Sequence, residues 1–117
     1  MAETPRELAQ QRAKELQDLR ARLLAGEPIT KRDTDEAVAR AEEAKLRSIK
    51  THLAASDVFE SSAEAHRRAA DLHDRVAEQH IGDPSEHRRA ATRHRDAADD
   101  DLRAALEERI RAKRKRR

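Results

Sequence analysis

The chain has no cysteine, no tryptophan and no tyrosine, and in 117 residues it has one phenylalanine, two glycines and three prolines. Without cysteine there can be no disulfide framework and no thiolate metal site, a usage compatible with a reducing cytosol. Long apolar runs are missing as well. Nowhere do about 18 apolar residues follow one another, which excludes a membrane-spanning helix. The opening "MAETPREL" has no apolar signal core. The expectation is a soluble, cytoplasmic protein.

Charged residues make up 43% of the chain and the mean hydropathy is −1.10, so little is available to bury. Leu, Ile, Val and Phe total only 18, against 23 alanines. Abundant alanine with few breakers favours long helices around a thin core. The net charge of +2 conceals an asymmetry, because six of the positive charges lie in "RAKRKRR" at 111–117. The preceding 110 residues carry 20 basic and 24 acidic groups.

Thr4, Pro5 and Glu7 form a helix start with a capping box and a proline at the first helical position. Leu8, Leu16, Leu19 and Leu23 mark one face, and Gly26 and Pro28 end the helix, which is predicted over about residues 5–25. A second start lies at Thr30 or Asp33, and no glycine or proline follows until Gly82. Val38, Leu46, Ile49 and Leu53 form a first stripe; Phe59, Ala69, Leu72, Val76 and Ala77 form a second, slightly rotated one. The segment is either one helix of about 50 residues, near 75 Å long, or two helices broken around 56–61; the continuous helix is favoured. Gly82-Asp83-Pro84-Ser85 is a tight turn with Ser85 as a cap, and a third helix runs to about 112. Short connections make neighbouring helices antiparallel. The predicted fold is therefore all-α, in elongated antiparallel hairpins of three helices, four if the second breaks, and coiled-coil-like. Residues 1–110 form one domain and 111–117 a basic tail.

Five of the six histidines, His66, His73, His80, His87 and His94, recur at intervals of seven, and the pentapeptide HRRAA occurs at 66–70 and at 87–91. A seven-residue interval keeps a side chain on one helical face. In a symmetric hairpin, residues whose numbers sum to about 167 face each other. His73 then meets His94, His80 meets His87, and His66 meets Asp101. The same register sets Arg67 against Asp100, Arg68 against Asp99, Glu64 against Arg103, Asp74 against Arg93 and Glu78 against Arg89, while Asp71–Asp96 and Glu60–Glu107 oppose it. Ala69, Ala70, Ala77, Ala90, Ala91, Ala97 and Ala98 lie one turn away and allow close approach. The column reads first as packing imidazoles that loosen in acid, and second as a pH-responsive seam. Metal binding is the remaining alternative. Facing pairs supply two ligands each where a structural zinc site takes four, so only His80, Asp83 and His87 near the turn are candidates to converge. No metal and no cofactor is expected.

Chemistry is otherwise sparse. There is no His-Glu-x-x-His, no Glu-x-x-His, no glycine-rich phosphate loop and no nucleophile motif, so the chain does not read as an enzyme. Arg111, Lys113, Arg114, Lys115, Arg116 and Arg117 suit a phosphate-rich partner, with backbone contacts rather than base stacking because no aromatic is near. Leu8, Leu16, Leu19, Leu23, Val38, Leu46, Ile49 and Leu53 form a seam that two helices only half bury, which a homodimer or a helical protein partner would complete.

Ala-His-x-x-Ala-Ala-x-x-His at 65–73, the Gly-Asp turn and His-x-x-Ala-Ala-x-x-His-x-x-Ala-Ala at 87–98 resemble small alanine- and histidine-rich helical proteins of actinobacteria, over residues 63–100. That resemblance implies a bacterial cytoplasm and brings no activity with it. The function expected is non-catalytic binding, with the basic arm on nucleic acid or a ribonucleoprotein surface. The alternative is a coiled-coil adaptor or oligomerisation module with a pH-responsive histidine seam.

Overall fold

A computed structural model describes residues 3–117 and is built from three α-helices, with no strand among the described residues. Helix α1 spans Pro5–Leu24, α2 Lys31–Glu78 and α3 Pro84–Arg116. No described helix is long and apolar enough to cross a membrane. The chain divides into two compact units, the first ending at Ala41 and the second comprising Glu42–Arg117.

In the first unit the Thr4 amide donates to Glu7 Oε2 at 2.8 Å and the Glu7 amide to Thr4 Oγ1 at 3.1 Å, which satisfies two otherwise orphaned donors at the start of α1. The helix ends when Gly26 turns left-handed at φ 79 and the amide of Glu27 reaches back to the Arg22 carbonyl. Thr30 and Asp33, the two candidate starts of α2, are two halves of one device. The Thr30 amide donates to Asp33 Oδ2 at 3.0 Å, and the Asp33 amide to Thr30 Oγ1 at 3.1 Å. Arg22 clamps the same carboxylate through two bonds of 3.1 and 2.7 Å, and Arg40 clamps Glu15 at 2.9 and 2.8 Å. No described residue of this unit is buried. Ion pairs, not an apolar core, join α1 to the start of α2.

In the second unit α2 is continuous through 56–61, so the break considered there does not occur. Ser61 and Glu64 lie inside the helix. At its end the Ile81 amide donates to the Val76 carbonyl and the His80 amide to that of Ala77. This is the bonding pattern used at Gly26, with His80 now in the left-handed position at φ 56. A side chain there costs about 1 to 2 kcal/mol. His80→Gly is therefore expected to stabilise the protein by about 1 kcal/mol in a denaturant titration. Gly82→Ala should do the reverse, because φ is 73 and a Cβ would stand 3.2 Å from His87 Nε2. Asp83, not Ser85, caps α3: its Oδ1 accepts the Ser85 amide at 2.9 Å, and Pro84 starts the helix. The helix continues to Arg116, beyond the predicted end near 112.

The core of this unit is a ladder of small residues. Ile49, Ser56, Ala63, Ala70 and Ala77 are buried on α2 and Ala91, Ala98, Ala105 and Ala112 on α3, every one seven residues from the next on its helix. Burying an alanine methyl contributes roughly 1 kcal/mol or less, so the ladder stabilises chiefly by letting the helices approach closely. Partner numbers fall along α3 as they rise along α2: His52 meets Glu108, Glu60 meets Arg109, His66 meets His94 and His73 meets His87.

Three of these contacts sum to 160, while the expected pairs His73–His94 and His66–Asp101, which sum to 167, are also in contact, so the side chains interleave rather than face one to one. The five charge pairs expected between the helices are not formed. Arg68 bonds Glu64 and Arg103 bonds Asp100, each within its own helix, and Arg95 takes Asp74 at 2.5 Å and Asp71 at 3.2 Å. Exposed charges on long side chains find whichever partner is nearest and are worth little, so they do not choose the register.

Candidate functional site

Four histidines come together along the seam of the second unit. His66 Nδ1 and His94 Nδ1 are 2.9 Å apart, and His73 Nδ1 and His87 Nδ1 are 3.0 Å apart. The rings of His73 and His94 stack at 5.5 Å, so the order in space is His66, His94, His73, His87. A contact this short needs Nδ1–H on one ring and a lone pair on the other, so the tautomers of the two rings must differ. A second proton would set N–H against N–H. Burial pushes the His94 pKa down from 6.5, helped by the neighbouring His66, His73 and Arg93. His66 Nε2 also lies 3.8 Å from Asp101, whose Oδ2 is buried without a hydrogen bond.

His80 does not join the cluster. It is exposed in the left-handed turn, and its expected partner His87 faces His73 instead. The trio His80, Asp83 and His87 is thereby taken apart, with Asp83 engaged in capping Ser85. Among the described residues no group of three or more His, Asp or Glu side chains is placed to hold a metal ion.

Two members of the seam were missed in the sequence. His52 Nδ1 sits 2.5 Å from Glu108 Oε2, and that hydrogen bond, with Arg111 as a second partner, holds the Glu108 carboxyl below its usual pKa. The signal was present: counting sevens back from His66 passes Phe59 to His52, and forward from His94 passes Asp101 to Glu108. The substitutions at Phe59 and Asp101 hid the column's length.

The basic residues near the end of α3 divide into two kinds. Arg111 bonds Glu108 at 2.8 Å and belongs to the seam. Lys113, Arg114, Lys115, Arg116 and Arg117 are exposed and make no ion pair among the described residues. Ala112, between them, is buried.

The apolar seam of the first unit and the start of the second is open. Leu16 is 67% exposed, Val38 62% and Leu46 63%, with Leu23 and Leu53 also exposed; Leu8 and Leu19 are half-buried and Ile49 alone is buried. A groove of about 280 Å³ in the first unit is floored by Leu16, Leu19 and Ala37 and rimmed by Arg12, Arg40, Glu15 and Asp33. Hydrogen bonds from Arg22 first, and from Thr30, lower the Asp33 pKa to about 2.

Comparison of the chain with protein-family models, with curated proteins and with solved structures finds no match.

Proposed function

We propose that the protein is a non-catalytic binding protein whose helices pack as antiparallel, coiled-coil-like hairpins and whose basic segment contacts the phosphates of a nucleic acid or a ribonucleoprotein surface. The observation that carries this reading is the contrast along α3. Arg95, Arg103, Arg109 and Arg111 each have a carboxylate, whereas Lys113 to Arg117 have none among the described residues and face solvent. Unpaired cations are free to displace counterions from phosphate. A cytoplasmic bacterial setting, with no membrane partner, belongs to the same proposal.

Deleting 111–117 would be a poor test, because it removes the buried Ala112. Replacing Lys113, Arg114, Lys115 and Arg116 with glutamine keeps the ladder. The expected result is unchanged helicity and a loss of affinity for a generic nucleic acid on the order of tenfold or more at low salt. Wild-type binding that does not weaken with salt would overturn the reading.

The open leucines favour a second reading, an oligomerisation module. A unit with no buried residue gains an apolar core only by association, so the melting temperature should rise with protein concentration. A sedimenting monomer whose melt is indifferent to dilution would reject it.

A further inference from the structure

We infer that α3 carries a second phosphate-contacting cluster, Arg88, Arg89 and Arg93, spaced from the basic segment so that the two together bridge about one turn of a DNA duplex. The inference rests on the nucleic-acid reading above and names the partner as double-stranded DNA.

Arg88, Arg89 and Arg93 are exposed, make no ion pair among the described residues, and with Thr92 line a shallow surface groove of about 380 Å³. They stand in the first turns of a helix that runs without interruption to Arg116, all of it within the second unit. From Arg89 to Arg114, and from Arg88 to Lys113, is a step of 25 residues. At about 3.6 residues per turn and 1.5 Å per residue, that step is close to seven whole turns and roughly 37 Å. The two clusters therefore lie on the same side of α3, and their separation matches the ~34–36 Å repeat of B-DNA.

Between them the same side of the helix is acidic. Among the described residues Asp96 and Glu107 have no cation partner, and Asp100 is held by Arg103 within the helix. A helix that is basic at both ends and acidic in its middle cannot lie along a continuous rail of phosphates. It matches a partner that presents phosphates at two places a fixed distance apart. A duplex is rigid on this scale and meets that requirement; a flexible single strand can follow either cluster separately and gains nothing from their spacing.

The test uses the full chain, a variant with Arg88, Arg89 and Arg93 changed to glutamine, and the Lys113 to Arg116 glutamine variant. Binding is measured against mixed-sequence duplexes stepped from about 8 to about 24 base pairs, shorter and longer than one turn, and against single strands of the same lengths. The wild type is expected to gain about tenfold or more in affinity once the duplex exceeds one turn, with no such step on single strands. The Arg88/Arg89/Arg93 variant should lose that step, and its slope of log affinity against log salt should flatten by roughly two to three on long duplexes. Circular dichroism should show its helicity unchanged, since these exposed side chains make no ion pair among the described residues. If the wild type binds in a salt-dependent way, loses binding with the Lys113 to Arg116 substitutions, and is unaffected by those at 88, 89 and 93, the second cluster is refuted while the nucleic-acid reading stands. If no salt-dependent binding occurs on any probe, both fall.

Discussion

Ala70→Leu is expected to disrupt the second unit, at a cost of about 3 kcal/mol or more in a denaturant melt. Ala70 has no exposed surface, and Ala91 and Ala98 on α3 are each 1% exposed. Three extra carbons at that level have nowhere to go, because close approach of the helices is what the alanines provide. Ala91→Leu should cost a similar amount, and the two together should add less than their sum, since the first leucine has already forced the helices apart. Ala65→Leu is the control. It lies on the exposed face of α2, and a surface substitution of this kind falls within about 0.5 kcal/mol. If leucine at 70 is tolerated as well as leucine at 65, the small residues do not form the seam.

Acid is expected to loosen the same seam. The His94 pKa is depressed by burial and by the charges of His66, His73 and Arg93. For a histidine whose folded pKa lies below its unfolded value, the unfolded state binds the extra proton. The stability it contributes is present above about pH 6.5 and is lost as the pH falls from there toward the folded value. Thermal melts of the wild type at pH 7.5 and 5.5, about one unit either side of the unfolded histidine value, should differ by several degrees. His73→Leu with His94→Leu should narrow that gap, and chelator should alter neither curve. A second loss, below about pH 4, belongs to Asp33, whose pKa of about 2 lies under its unfolded 3.8, so its contribution disappears as the pH falls between them. A wild type indifferent to pH 5.5 would mean that the imidazoles are solvated and do not order the seam.

Most helix ends were legible in the sequence. Thr4 with Glu7, Gly26, and Thr30 with Asp33 act locally: each satisfies or removes a backbone group within about four residues, so its effect is written next to it in the chain. The start of α3 was legible only to within two residues, since Asp83 caps it where Ser85 was expected, and its end lies at Arg116 rather than near 112. The left-handed cap at His80 was not legible, because that position ordinarily takes glycine and Gly82 stood two residues away as the more plausible stop. Of the candidate surfaces, the free cations could be listed from composition. That Arg111 is tied to Glu108 and that Ala112 is buried among them depend on how α3 meets α2.

By itself the sequence determined the three helices, through cap chemistry and alanine content, and the histidine face, through an interval of seven that returns each side chain to one side of a helix; the leucine stripe it also marked stays largely exposed. Tertiary structure alone decided which faces meet and at what level. A pattern that repeats every seven residues leaves the level of the partner open, and in the structure the histidines interleave: His66–His94 and His73–His87 sum to 160, His73–His94 and His66–Asp101 to 167. Which column lies at the centre falls to packing. The column of alanines, continued by Ser56 and Ile49, goes to the centre because small side chains let the helices come close, and the bulkier His52, His66, His73, His87, His94, Phe59, Asp101 and Glu108 are left half-buried along its edge.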